Sequence, residues 1–264
     1  GFSVLGVVFA AALMASQAVA DPSAAQSAQI VFLGENHDNP AHHLTQEVWV
    51  RALEPKALVF EMLTSEQAMR VTPENRNNAT LLAEILEWET SGWPDFAMYY
   101  PIIAAVPEAF IFGAGIQPER VRGLMQADLA EVAGDRLTAA FGLDIALPSD
   151  EQVARETLQK EAHCNALPDT MLPTMVSVQR LRDAALADAA LAAFEKTGGP
   201  VVVITGNGHA RTDWGAPALV RYAKADVKVF ALGQSEAGQM PEGRFDMVLD
   251  APAIDRGDPC TAFR

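Results

Sequence analysis

Two short segments carry side chains that could do chemistry, and they share a pattern. Gly34-Glu-Asn-His37 and Gly206-Asn-Gly-His209 each follow an apolar run and end in a histidine. Glycine lets the backbone turn sharply and approach other groups closely. Imidazole beside carboxylate can bind a divalent metal or serve as acid and base near neutral pH. The first segment also supplies Glu35 and Asp38, and a second apolar run, Ala57-Leu-Val-Phe60, delivers Glu61 at its end. A set of His37, Glu61 and His209 would therefore hold a metal or activate water for hydrolysis. A turn histidine can equally cap a helix or bond a loop carbonyl, and both readings stand at this point.

Those segments must be positioned by an α/β scaffold. Gln29–Leu33, Ala57–Phe60, Phe110–Phe112, Val201–Ile204, Val227–Leu232 and Phe245–Leu249 read as strands, several of them continuous apolar runs suited to burial on both faces. Between them lie helical patterns at about 42–53, 81–88, 102–108, 118–125, 129–141 and 151–162. A long Ala-rich pattern runs from Pro173 to Lys196 and is broken by Gly198-Gly-Pro200. The expected fold is a mostly parallel central sheet flanked by helices, with right-handed crossovers. Residues 64–108 read as a helical insert after the second strand, and 126–197 as a further helical segment. In such sheets ligands bind beyond the carboxyl ends of the strands, where both Gly-x-x-His turns fall. Glu61 joins them there if the first two strands are neighbours.

Five histidines occur in the chain, three of them between residues 37 and 43. His42 and His43 fall in a first helical turn, where a surface role is expected. His163 precedes Cys164 and would order a loop there. Arg180 and Arg182 lie on the long helix with Asp183, as surface ion pairs or as an anion contact. Tyr99 and Tyr100 follow Trp93 and Phe96. They either pack as an aromatic cover over the sheet or offer a phenolate to ferric iron, a ligand type known for haem.

Composition narrows the partners. The net charge of −15 over 264 residues, without a basic run, argues against nucleic acid and against anionic lipid. Residues 1–20 are uncharged and largely apolar and end in Ala18-Val-Ala20, the pattern of a secretory signal peptide. Its apolar part is short for a membrane span. Cleavage would leave a single domain, 21–264, in an oxidising compartment such as the periplasm, without stable membrane insertion. No cysteine follows the cleavage site to accept lipid. The two cysteines, Cys164 and Cys260, then pair as one disulfide.

The longer motifs resemble a known family. Leu33-Gly-Glu-Asn-His-Asp-Asn-Pro-Ala-His-His43, Val59-Phe-Glu-Met62, Tyr99-x-Pro101, Val178-Gln-Arg-Leu-Arg-Asp-Ala184 and Gly206-Asn-Gly-His-Ala-Arg-Thr-Asp-Trp-Gly215 are similar to those of the ChaN family. These are haem-binding uptake proteins of the Tiki/TraB/erythromycin-esterase-like superfamily. The resemblance implies haem or iron acquisition, a tyrosine ligand to iron, a histidine near the propionates, and dimers that bring two haems together. Tyr99 is the first candidate ligand by motif and Tyr100 the second, with His37, His209 and Arg180 as candidates around the propionates. The wider superfamily implies the rival reading, a metal-dependent or metal-free hydrolase built on His37, Glu61 and His209.

Overall fold

The computed structural model describes residues 21–264, so the expected signal peptide lies outside the described residues. Six strands form one all-parallel sheet: β1 Ile30–Glu35, β2 Ala57–Thr64, β3 Phe110–Gly115, β4 Val201–Gly206, β5 Val229–Glu236 and β6 Met247–Ala251. Their order is β3-β2-β4-β1-β5-β6. The α/β architecture therefore stands, with one change. β1 and β2 are not neighbours, because β4 lies between them and pairs with both. This exchange brings the two Gly-x-x-His strands side by side, with Gly34 opposite Thr205 and Glu35 opposite Gly206.

Both faces of the sheet are covered. On one side α1 (Pro40–Leu53) and the insert pack over Val31, Leu33, Leu58 and Phe60. On the other, the long α9 (Leu172–Thr197) lays Leu181, Ala184, Ala187 and Ala190 against Phe32, Val59 and Val203. The small side chains let that helix approach closely, and the buried aliphatic strands explain why the runs read as continuously apolar.

The insert departs from expectation at its aromatic stretch. Tyr99, Tyr100 and Pro101 belong to a helix, Phe96–Ala105, which begins earlier than its apolar spacing implied. Asp95 caps it by accepting from the Ala97 N–H at 2.9 Å, and Pro101 is tolerated within it at the cost of one helical hydrogen bond. The pattern over 129–141 resolves into two helices, Leu129–Ala133 and Asp135–Phe141, separated at Gly134 with φ 83°. Ser149–Ala162, here α8, runs into a loop at Cys164. There Cys164 is disulfide-bonded to Cys260, with Cα atoms 5.5 Å apart. No described helix is long and apolar enough to cross a membrane.

Candidate functional site: a carboxylate held between two histidines

β1, β2 and β4 end at one rim, and each delivers one part of the site. β2 presents Glu61, whose Oε2 accepts hydrogen bonds from Thr205 Oγ1 at 2.7 Å and the Gly206 N–H at 2.8 Å. Its other oxygen, Oε1, faces two imidazoles: His209 Nε2 at 3.6 Å and His37 Nε2 at 3.9 Å. Each histidine is backed by a second carboxylate. His37 Nδ1 lies 2.7 Å from Glu35 Oε1, and His209 Nδ1 lies 2.7 Å from Asp183 Oδ1. The expected trio of His37, Glu61 and His209 is thus brought together, and Glu35 and Asp183 orient its rings.

The motif glycines serve this meeting. A Cβ at Gly34 would come 2.5 Å from Asn207 Oδ1, and one at Gly206 would come 3.0 Å from His37 Nε2. Each turn leaves out a side chain where the other turn must fit. Asn207 ties the two further: its amide donates to Asn36 Oδ1 and to the Gln234 carbonyl. His209 sits in a single helical turn, Asn207–Ala210, rather than in an open loop.

His42 and His43 are corrected from surface residues to buried ones. The chain folds back so that both rings lie under the first turn. His42 Nδ1 accepts the Asn36 N–H at 2.8 Å and Nε2 donates to the Ser235 carbonyl at 3.1 Å, a pattern only the neutral ring can make. Burial lowers its pKa accordingly. His43 Nε2 donates to the His37 carbonyl at 2.8 Å, while Nδ1 faces Gln46 Oε1 at 3.0 Å and Glu35 Oε2 at 3.2 Å.

Charge follows from these contacts. Burial pushes Glu35 up, but hydrogen bonds from His37 and His43 more than reverse this and bring it to about 2. Burial pushes His209 down, and Glu61 and Asp183 outweigh it, raising His209 to about 9. His37 is also raised, against burial, by Glu35 and Glu61. Glu61 is lowered, its burial outweighed by the two imidazoles and the Gly206 N–H, while burial raises Asp183. At neutral pH the rim is therefore a charge-alternating chain with His209 cationic between carboxylates. Such a centre can position water on Glu61, donate a proton from His209, or hold an anionic group. Among the described residues no set of three His, Cys, Asp or Glu side chains is arranged to hold a metal ion.

Of the other candidates, Tyr99 touches the rim from beneath and the rest fall apart from it. Tyr99 is fully buried, and its hydroxyl donates to Glu35 Oε1 at 2.9 Å. Burial and the Glu35 charge raise its pKa, so the phenol keeps its proton. Tyr100 is half-buried and donates to the Arg76 carbonyl at 3.1 Å. It lines a groove of about 1140 Å³ in the insert, walled by Trp88, Trp93, Pro94, Phe96 and Pro101. Arg180 is occupied by the Ile145 carbonyl at 3.1 Å rather than reaching the rim. His163 donates to the Gln159 carbonyl at 2.7 Å and lies edge-on to Phe263, where it orders the disulfide loop.

The rim opens into a cavity of about 680 Å³ lined by His37, Trp93, Pro94, His209 and Arg256. Trp93 and Pro94 also wall the insert groove, so the two spaces meet there. Asp183 is the partner that sequence reasoning missed. Its sequence neighbours are arginines, which suggests a surface pair, yet it interrupts an inward stripe of Val176, Leu181, Ala184 and Ala187, where an unpaired charge would be costly.

A parallel α/β domain whose two Gly-x-x-His strand ends close over one carboxylate defines a class, and the comparisons with known proteins agree with it. The model of the family described as haem-binding uptake, Tiki superfamily, ChaN matches residues 23–220, and the chain belongs to that family. Among solved structures, ChaN of Campylobacter jejuni, described with cofacially bound haem, superposes with a TM-score of 0.69. It is 20% identical, with 86% of this chain and 89% of that one covered. That likeness is one of fold. The type III effector HopBA1 matches more loosely, with a TM-score of 0.47 at 12% identity over 88% of this chain and 92% of that one. No curated protein matches the chain.

Proposed function

We infer that this protein is an exported haem-binding protein that takes part in haem or iron uptake, with the porphyrin seated in the insert groove. The observation that carries the reading is the aromatic wall of that groove, which Tyr100 lines together with Trp88, Trp93 and Phe96, in a chain of the haem-binding uptake family. A large flat macrocycle needs apolar contact and one oxygen ligand, and this groove offers both. Haem would supply the iron being carried, and no step of chemistry is required of it.

The residues fit with one reversal of order. Tyr99 would have to leave Glu35 and the core to reach iron, whereas Tyr100 need only give up the Arg76 carbonyl. Tyr100 is therefore the proposed ligand. Glu84, Glu87, Glu89 and Asp95 border the groove and would repel propionates. The favourable direction is across Trp93 toward His37 and His209, whose pKa values are raised. The export signal at 1–20, a periplasmic location and a homodimer sharing two haems belong to the same reading.

Haemin titration of residues 21–264 tests it. A saturable Soret shift is expected, lost in Tyr100→Phe and retained in Tyr99→Phe. Unaltered binding in both variants would remove tyrosine from the account. Native mass of the loaded protein then reports whether two chains share the pigment.

A second reading is favoured by the rim itself, because Glu61 between two carboxylate-backed imidazoles is built to move protons. In that reading Glu61 positions water, and His209 stabilises the developing oxyanion and protonates the leaving group. Turnover of an ester or peptide, abolished by His37→Ala and by Glu61→Gln, is the expected result. A broad substrate screen with no such activity would count against it.

A further inference from the structure

A third cavity lies beside the rim, and neither reading uses it. It measures about 310 Å³ and opens between α8, α9 and the segment that holds Trp214. Asn36, Asn207 and Gly208 line both this cavity and the rim cavity, so the two share a wall. Asp183, the partner of His209, also lines it.

Its walls combine two chemistries. Leu158, Ala162, Val176 and the Trp214 ring give an apolar body. Arg155 gives a cation that is held in place but not saturated. Its side chain is only 11% exposed, and Nη2 donates to Glu151 Oε1 at 2.9 Å. Its Nε–H is buried and has no partner. The guanidinium lies 4.9 Å from the centre of the Trp214 ring, whose neighbourhood also contains Arg211 at 3.8 Å. Arg211 is committed to Asp213 through two hydrogen bonds, so Arg155 is the donor left open. The Arg155 Nε–H is shut off from the cavity, so the donors that can meet a ligand there are the terminal guanidinium N–H groups, whose partner among the described residues is Glu151. Gln159 and Gln179 line the same space.

We propose that this cavity is a binding site for a small amphipathic carboxylate, its acid group on Arg155 and its apolar body against Trp214, Leu158 and Val176. The volume sits at the lower end of small-molecule pockets, about 300–1,000 Å³, which suits a compact aryl or acyl acid and excludes a tetrapyrrole. The acidic residues at its edge do not oppose this. Asp183 is paired with His209, and Glu242 is exposed at the mouth. The site holds whether or not haem binds at Tyr100, since the two share no lining residue.

Calorimetric titration of residues 21–264 with 4-phenylbutyrate, and with the matched neutral 4-phenylbutan-1-ol, tests the assignment. The carboxylate should bind at least about tenfold more tightly than the alcohol, the scale of one charge-assisted hydrogen bond. Arg155→Met should erase that preference while leaving weak binding of both, and Arg155→Lys should restore part of it. Val176→Trp, which fills the cavity, should abolish both without altering the haemin Soret titration. Equal affinity for acid and alcohol, no binding of either, or binding that survives Val176→Trp would each overturn the proposal. If Val176→Trp lost its native circular dichroism, Leu158→Trp would supply the filled cavity from the opposite wall.

Discussion

The rim and the insert groove meet at Trp93 yet are built on opposite principles. At the rim, polar groups are buried and almost all partnered. Glu35, Glu61, Asp183, His42, His43 and His209 each lie under 9% exposure and hold one another in place. In the groove, Trp93 and Tyr100 stand partly open beside the buried Trp88 and Phe96, and the polar atom of interest, Tyr100 Oη, has one carbonyl partner. A buried polar network is stiff because each lost partner leaves a costly orphan. An aromatic groove tolerates change because its contacts are many and individually weak. The first suits positioning of protons or charge, the second the seating of a large apolar body.

The disulfide offers the largest test of this contrast. Cys260 ties the C-terminal tail to the end of α8, across a sequence separation of 96. The loop-closure model gives about 4–5 kcal/mol for a loop of this length. That tail also reaches the rim through Arg256, while the insert groove has no contact with it among its lining residues. Reduction should therefore lower the denaturation midpoint markedly while haemin still titrates the surviving folded protein with unchanged affinity. An equal loss of haem affinity would mean that the two regions are not separable.

Next in size is Glu35→Ala. Glu35 receives His37, His43 and Tyr99 at once, and removing one member of a buried charged set costs about 3–5 kcal/mol. Urea denaturation reads the loss. Tyr100→Phe in the groove should cost under about 1 kcal/mol by the same measurement, since it gives up one partly solvated hydrogen bond. Similar losses in the two variants would dissolve the contrast.

The pH profile follows with an effect on the order of 3 kcal/mol from His209. Its folded pKa of about 9 stands above the ordinary 6.5. Its contribution is thus complete below about pH 6.5 and is lost as pH rises through 9. Glu35 works in the other direction. Its folded pKa of about 2 lies below 4.5, so its contribution is complete above pH 4.5 and lost as pH falls toward 2. Stability from the rim should peak between these limits, and Glu61→Gln should flatten the alkaline arm by removing the largest attraction on His209. An NMR titration placing His209 near 6.5 would refute the assignment.

Much of this arrangement could be read from residue order alone. The apolar runs marked the strands, and their Gly-x-x-His ends marked the rim, because local pattern and strand direction suffice for both. Strand order does not follow from local pattern, so the place of β4 between β1 and β2 appears only when the crossovers are seen. The burial of His42 and His43 escaped for a related reason. Helical spacing puts them in a first turn, but only the chain's return from β5, which supplies Ser235 and Gln234, covers that turn. Tyr99 and Tyr100 are adjacent letters with opposite fates, decided by which face of their helix meets Glu35.

The smallest expected effect concerns the link between tail and rim. Arg256 donates to Asp38 and to Glu236 through four hydrogen bonds of 2.6–2.7 Å. The geometry looks strong, yet the Arg256 side chain is 32% exposed and Asp38 47%, so solvent offsets much of the attraction. Glu236 keeps Asn39 as a second partner at 2.7 Å, and Asn39 also caps α1 through the Ala41 N–H at 3.0 Å. Arg256→Ala should therefore cost under about 1 kcal/mol in global stability. Its effect belongs instead to local opening: amide exchange in the tail around residues 252–258 should quicken, while exchange in the insert helix 96–105 stays unchanged. The disulfide still pins the chain at Cys260, so the freed segment lies between two fixed ends, β6 and Cys260. A global loss above about 2 kcal/mol would make Arg256 part of the rim network rather than a clasp over it. Faster exchange in the insert as well would show that the rim and the groove move as one body.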